Sequence, residues 1–202
     1  VNVSSGSDTV WVDDVVVSTP AATTGTQATT TLRGVVTVPG HDDTATWGAA
    51  DPLNNVNVYI PGATPTAFTT SVVCESCTPL TGDPVVRTTT DIDGNFTLQG
   101  VPCGANIPLV IQLGRWRRQV VIPNVTCCET TTVPSALTHL PRNRSEGDIP
   151  RMAMVTGDVD AMECVLRKIG VEDAEFTTSS GAGRVHIFDS NGADAGGGTA
   201  AA

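Results

Sequence analysis

TTTDIDGNFTLQGVPCG, residues 88–104, decides how the chain is read. D-x-D-G-N can open a calcium loop, or it can be the tip of a turn between two strands. An EF-hand loop starting at Asp91 needs Gly at its sixth position and Glu at its twelfth. Here Gly94 is fourth and Pro102 is twelfth, so the EF-hand reading fails. An irregular calcium site on Asp91, Asp93 and Asn95 stays as an alternative.

The turn reading is tested by register. Take the loop as Ile92-Asp93-Gly94, with Asp91 closing on Asn95. Thr90 then faces Phe96, Thr88 faces Leu98 and Val86 faces Gly100, a largely apolar side. Thr89 with Thr97, and Arg87 with Gln99, form the polar side. A two-residue Asp93-Gly94 loop would turn Arg87 toward the core, since a one-residue slip flips every side chain. The three-residue loop is therefore expected, as a β-hairpin with Gly94 supplying its left-handed turn residue.

Outward from the turn, residues 31–134 read as short β-branched runs parted by turn signals. TLRGVVTV ends at Pro39-Gly40, and NVNVYI ends at Pro61-Gly62. NIPLVIQL and RWRRQVVI flank Gly114 as a second hairpin, and NVTCCETTTV closes the set. At least seven strands in about a hundred residues predict a mainly β fold, an immunoglobulin- or transthyretin-like β-sandwich.

The flanks differ. Residues 1–30 hold one strand-like segment, TVWVDDVVVS, and a Thr-rich linker. Residues 135–149 are polar and turn-rich and read as a second linker. Residues 150–189 switch period: the strand IPRMAMVTG, a helix with Met162, Val165, Leu166 and Ile169 on one stripe, then the strand RVHIF. Asp160 and Glu163 have capping-box spacing, and Gly170 suits the helix stop. One β-α-β unit is too little for a parallel sheet, so this partial α/β unit is expected to be the opening of a larger α/β domain, with packing on the sandwich as the alternative. Residues 190–202 are low-complexity and expected to be disordered.

Composition narrows function. The chain has 202 residues and a formal net charge of -10, which argues against nucleic-acid binding. It holds no apolar run long enough to span a bilayer as a helix. Lys168 is the sole lysine, so a lysine isopeptide crosslink is excluded from the β-rich part. Cys74, Cys77, Cys103, Cys127 and Cys128 cluster there as disulfide candidates, with Cys164 apart. Six cysteines allow 15 pairings. Zinc on the Cys74/Cys77 and Cys127/Cys128 pairs is the rival reading. It is disfavoured because adjacent strand residues point to opposite faces.

T-D-x-x-G-x-F-x-L-x-G-V-P-x-G, residues 90–104, resembles the signature of carboxypeptidase regulatory-like domains, which are transthyretin-like sandwiches. RGVVTV (33–38) and PLNNVNVYI (52–60) fit that family's first two strands. The runs PLVIQLGRWRRQVVIPNV and LPRNRSEGDIPRMAMVTGDVDAMECVLRKIGVEDAEF are similar to bacterial secreted proteins in which such a sandwich precedes a glutamine-amidotransferase-like domain. The resemblance implies a non-catalytic sandwich used for interaction or folding support.

Catalytic candidates are thin. His41, His139 and His186 are far apart in sequence. Cys164 lies one residue off the helix stripe and reads as a packed thiol. VTGDVDAME lacks dinucleotide-site spacing. Arg115, Trp116 and Arg117 form a candidate interaction patch for acidic glycans or an acidic partner. The plainer reading puts Arg115 and Arg117 on the solvent face and Trp116 in the core. Asn2, Asn95, Asn124 and Asn143 head N-x-S/T triplets, which matter only in a glycosylating cell.

The expectation is a non-enzymatic, disulfide-stiffened structural or interaction protein, extracellular or at the cell surface, without a cofactor. Its partners are expected to be protein subunits, including other copies joined by strand exchange into filaments. The alternatives are the accessory front of an amidotransferase-like hydrolase and a calcium- or glycan-binding module.

Overall fold

The computed structural model describes residues 29–41, 48–71, 80–157 and 162–188. The segments holding the N-terminal strand-like run, Cys74 and Cys77, the Asp160 cap and the tail lie outside the described residues.

Seven strands fall where the alternation placed them: β1 (Thr31–Val35), β2 (Asn57–Pro61), β3 (Pro84–Thr89), β4 (Asn95–Gln99), β5 (Gly104–Leu113), β6 (Trp116–Val125) and β7 (Thr130–Thr132). They form two sheets, β4-β1-β7 and β3-β2-β5-β6, the second extended beyond β6 by β8 (Gly147–Asp148). Neighbours are antiparallel except β1 and β7. Leu32, Phe96 and Leu98 of the first sheet meet Val58, Ile60, Leu109, Ile111 and Ile122 of the second in one buried cluster. Each such side chain contributes about 1.5–3 kcal/mol by leaving water. The fold is a β-sandwich.

The turn at 91–94 forms as expected, but the hairpin does not. Asp91 N–H donates to Asn95 O at 3.0 Å and Gly94 N–H to Asp91 O at 3.0 Å. Beyond that point the strands part: β3 pairs with β2, and β4 pairs with β1 in the other sheet. The connection is an arch between sheets. Facing survives this correction, because an arch and a three-residue hairpin give the same side chains to the core. Thr90, Phe96 and Leu98 are buried and Arg87 is exposed. Gly94 is needed twice over. Its φ is 73°, and a Cβ there would lie 2.6 Å from Val36 O.

The second hairpin is real. β5 and β6 pair from Gly104↔Val125 to Leu113↔Trp116. Cys103 and Cys127 form a disulfide just outside its open end, with Cα atoms 5.0 Å apart.

The expected linker at 135–149 is instead structural. Leu140 is 2% exposed within the sandwich core, and β8 pairs with β6 through Arg117↔Asp148 and Arg118↔Gly147. The polar composition misled because its polar groups serve as ties. Arg142 and Glu146 close on each other, and Asn143 Oδ1 accepts from Ser145 N and Glu146 N.

The C-terminal unit holds β9 (Met152–Val155), α1 (Met162–Lys168), β10 (Phe176–Thr178) and β11 (Val185–Phe188). Its sheet is parallel, in the order β10-β11-β9. β10 was not expected from the sequence. It returns to β11 through a short glycine-bearing loop, and a Cβ at Gly183 would lie 2.2 Å from Glu175 O. The helix stripe is also corrected. Leu166 and Ile169 pack on Val171, Phe176, Val185 and Ile187, while Met162 and Val165 are exposed.

This unit is fastened to the sandwich. Trp116 packs against both apolar clusters and donates its indole N–H to Pro141 O at 3.0 Å. Gly40 N donates to Ile169 O, and Glu172 N to Arg142 O, each at 3.0 Å. Glu175 is 2% exposed. Its carboxylate accepts from Arg144 N at 2.9 Å, from Arg144 Nε and from Arg184 N at 3.2 Å.

Candidate functional site

The hairpin tip between β5 and β6 carries the arginine-aromatic run, and the structure divides its members. Arg117 is 7% exposed, not on the solvent face. Alternation did turn it away from the sandwich core, but residues of the 61–84 loop cover that outer face. Arg117 Nε donates to Asp148 Oδ2 at 2.9 Å, and Nη1 donates to Thr66 O at 3.0 Å and Thr81 Oγ1 at 3.2 Å. Its guanidinium lies 4.1 Å from the Phe68 ring centroid. Beside it, burial raises the Tyr59 pKa, while the Arg117 charge pulls the other way. Trp116 is half-buried at the junction of the two units. Arg115 donates to Thr69 O and Thr69 Oγ1 and lies 5.2 Å from the same Phe68 ring.

A small cleft opens where this tip meets the C-terminal unit. Its free volume is about 80 Å³, and Phe68, Thr69, Arg115, Asp148, Arg151 and Arg184 are among its walls. Pairing of Met152 with Val185 in adjacent parallel strands sets Arg151 and Arg184 at the same end of the sheet. Arg184 Nε is buried without a hydrogen-bond partner among the described residues. Asp148 is the one acidic residue of the lining and is paired with Arg117 at 2.8 Å. Sequence reasoning found Arg115 and missed Arg151 and Arg184. No local signal joins them, because 33 positions of chain separate two residues that only strand pairing brings together.

The other candidates fall elsewhere. Asp91 Oδ1 accepts from Asp93 N at 3.0 Å and Asn95 N at 2.8 Å, and Asn95 Nδ2 reaches both carboxylate oxygens. The bond from Asn95 N holds the Asp91 carboxyl below its usual pKa. Among the described residues, no group of three or more His, Cys, Asp or Glu side chains is placed to hold a metal ion. Cys128 is an exposed free thiol and Cys164 a half-buried one. His186 contacts Gly183 O at 3.1 Å, His139 contacts Leu140 O at 2.8 Å, and His41 contacts Asp51 at 3.3 Å, so the three histidines serve separate places.

No family model matches the chain. No curated protein matches it either. Among solved structures it is similar to an N-terminal interface mutant of a type II cohesin–X-dockerin complex from Acetivibrio cellulolyticus. There the identity is 16%, the TM-score 0.34, and the match covers 75% of this chain and 76% of that one. A C-terminal interface mutant of the same complex gives 17% identity, a TM-score of 0.31 and the same coverage. At these scores neither likeness bears on function.

Proposed function

We infer that this protein is a non-catalytic structural or interaction module, extracellular or at the cell surface, whose partners are other protein subunits, second copies included. One observation carries the reading: apolar surface is left open on the C-terminal unit. Val155 and Phe188, paired in adjacent strands, are 71% and 41% exposed, and Met162 and Val165 of α1 are also exposed. Parallel sheets ordinarily bury both faces, so the paired Val155 and Phe188 offer an uncovered apolar spot for a contact. The Cys103–Cys127 disulfide supports an oxidising compartment. The carboxypeptidase regulatory-like assignment is supported by its motif residues. Gly94 turns the arch, and Phe96, Leu98 and Val101 are buried.

Light scattering after size-exclusion over a hundredfold concentration range tests the reading. Association is expected, weakened by Val155→Ser with Phe188→Ser. A monomer at every concentration contradicts it. Strand exchange into filaments is the finer form. It predicts that removing residues 1–20 abolishes any assembly larger than the one Val155 and Phe188 support.

The open face of the parallel sheet also favours a second reading, the accessory front of an amidotransferase-like hydrolase. More strand–helix units with a nucleophile, read in the gene past residue 202, would decide for it.

A further inference from the structure

We propose that Cys128 is an exchange nucleophile for the Cys103–Cys127 disulfide, so that this crosslink moves between Cys127 and Cys128 as a thiol-driven switch. The inference goes beyond the interaction reading and does not depend on it. Both reactants are in one place. Cys103, Cys127 and Cys128 are all exposed, the first two bonded to each other and the third a free thiol. A thiol beside a disulfide is the pair that exchange requires. The Cα atoms of the neighbours Cys127 and Cys128 are about 3.8 Å apart, and those of Cys103 and Cys127 are 5.0 Å apart. The Cys128 Cα therefore lies within about 9 Å of the Cys103 Cα. A modest swing of the turn brings it into the bridging range of about 4.4–6.8 Å.

The backbone here is strained on one side and loose on the other. Cys128 has φ 58°. The other described non-glycine residues at positive φ are Asn55, Asp83 and Asn106, types that tolerate the left-handed region better than cysteine does. Such strain persists where the surroundings impose it. Here Cys128 N–H donates to Thr30 Oγ1 at 2.9 Å, and Thr31 N–H donates to Glu129 O at 2.9 Å. On the other side, Gly104 follows Cys103 with φ 127°, and a Cβ there would meet nothing within 4 Å. The turn carries the crossing from β6, in one sheet, to β7, in the other. Moving the bond by one residue therefore changes how that crossing is held.

The step balances without an oxidant. The Cys128 thiol gives its proton to water, and the thiolate attacks Cys103 Sγ. The Cys103–Cys128 bond forms as the Cys103–Cys127 bond breaks, and Cys127 leaves as a thiolate that takes up a proton. One disulfide and one thiol stand on each side. Attack on Cys127 Sγ is the poorer route, because the Cα atoms of sequence neighbours are closer than a disulfide ordinarily spans.

The test incubates the folded full chain at about pH 8.5, where a free cysteine populates its thiolate. Thiols are then blocked with excess N-ethylmaleimide, the chain is digested with pepsin in acid without reduction, and linked and blocked cysteines are mapped by tandem mass spectrometry. Blocked Cys128 with a Cys103–Cys127 link is expected as the main form. Blocked Cys127 with a Cys103–Cys128 link is expected as the second, in a ratio that holds over a hundredfold range of protein concentration. Cys128→Ser is expected to lower blocking of Cys127 at least tenfold. Cys127→Ser, refolded with glutathione and glutathione disulfide, is expected to form the Cys103–Cys128 link and to lose less than half of the Tm that Cys103→Ser loses. Cys128 left unblocked in the parent, no Cys103–Cys128 link in the parent, or a Cys127→Ser chain with both thiols blocked overturns the proposal. A second form that grows with protein concentration, or a link between Cys103 and Cys128 of two chains, shows exchange between copies and overturns the switch. The parent's map decides the matter even if a variant fails to fold. If the map shows no exchange while light scattering still shows self-association, the switch falls and the interaction reading stands.

Discussion

The two units of this chain solve burial differently. The sandwich closes a core from its own two sheets, with Leu32, Val36, Val56, Val58, Leu109 and Ile111 at no exposure. The C-terminal unit buries Val171, Phe176, Val185 and Ile187, and it borrows Trp116 from the sandwich hairpin to complete the cluster. Its ties to the rest include backbone bonds, the buried Glu175 carboxylate and the bond that Asn143 Nδ2 donates to Glu172 Oε2. A two-sheet sandwich satisfies itself; a three-stranded parallel sheet with one short helix does not. The difference teaches that the second unit is built on the first, and that the cleft between them exists only while they are joined.

The comparison can be broken first at the sandwich core. Phe96→Ala removes a ring that is 2% exposed and is expected to cost about 3–5 kcal/mol. Chemical denaturation followed by amide exchange should show no C-terminal unit outlasting the sandwich. A C-terminal unit that survives would show independence. Next comes the disulfide. Cys103→Ser with Cys127→Ser opens a crosslink over 24 residues, at about 2–4 kcal/mol. Calorimetry should show a lower Tm, and a parent protein unchanged by reductant would argue against the bond. Then comes the junction. Glu175→Ala leaves the N–H groups of Arg144 and Arg184 without their acceptor, at about 1–3 kcal/mol. The loss should appear as faster amide exchange in β9, β10 and β11, with β2 and β5 unchanged.

Two smaller effects concern pH. Burial lowers the His139 pKa below 6.5, against the pull of the Leu140 carbonyl. Below 6.5 the unfolded state therefore binds the proton more readily. Stability from this group is present above 6.5 and is lost as pH falls through the lower folded value. A shallower acid limb in His139→Gln checks this. The smallest effect lies at the arch, where the bond from Asn95 N lowers the Asp91 pKa from 3.8. That contribution holds above 3.8 and is lost as pH falls through the depressed value. Asp91→Asn should remove it, lowering stability slightly near neutrality and flattening the dependence on pH below 3.8.

The facing of side chains was legible in the sequence, and their partners were not. Phe96 and Leu98 were placed in the core by parity alone, and Gly94 by its turn. Parity is shared by an arch and a hairpin, so it could not tell that β3 and β4 join different sheets. Arg117 alternates outward as expected, yet a loop distant in sequence covers it, and burial by a loop leaves no period to read. β10 is three residues long, too short for a pattern. Met162 and Val165 keep helical spacing with Leu166 and Ile169, yet they stay exposed while the other two pack on the small core. Glu175 in DAEF and the meeting of Arg151 with Arg184 are tertiary facts. The lone lysine and acid excess, by contrast, were legible at once and make the arginine-lined cleft stand out.

Native-state hydrogen exchange on the intact full chain tests the central claim most directly. If the C-terminal unit is built on the sandwich, amides of β9, β10 and β11 should open at a free energy well below that of β2, β5 and β6. The sandwich amides should open only with global unfolding. Equal opening free energies in the two units, or greater protection in the parallel sheet, would contradict the account.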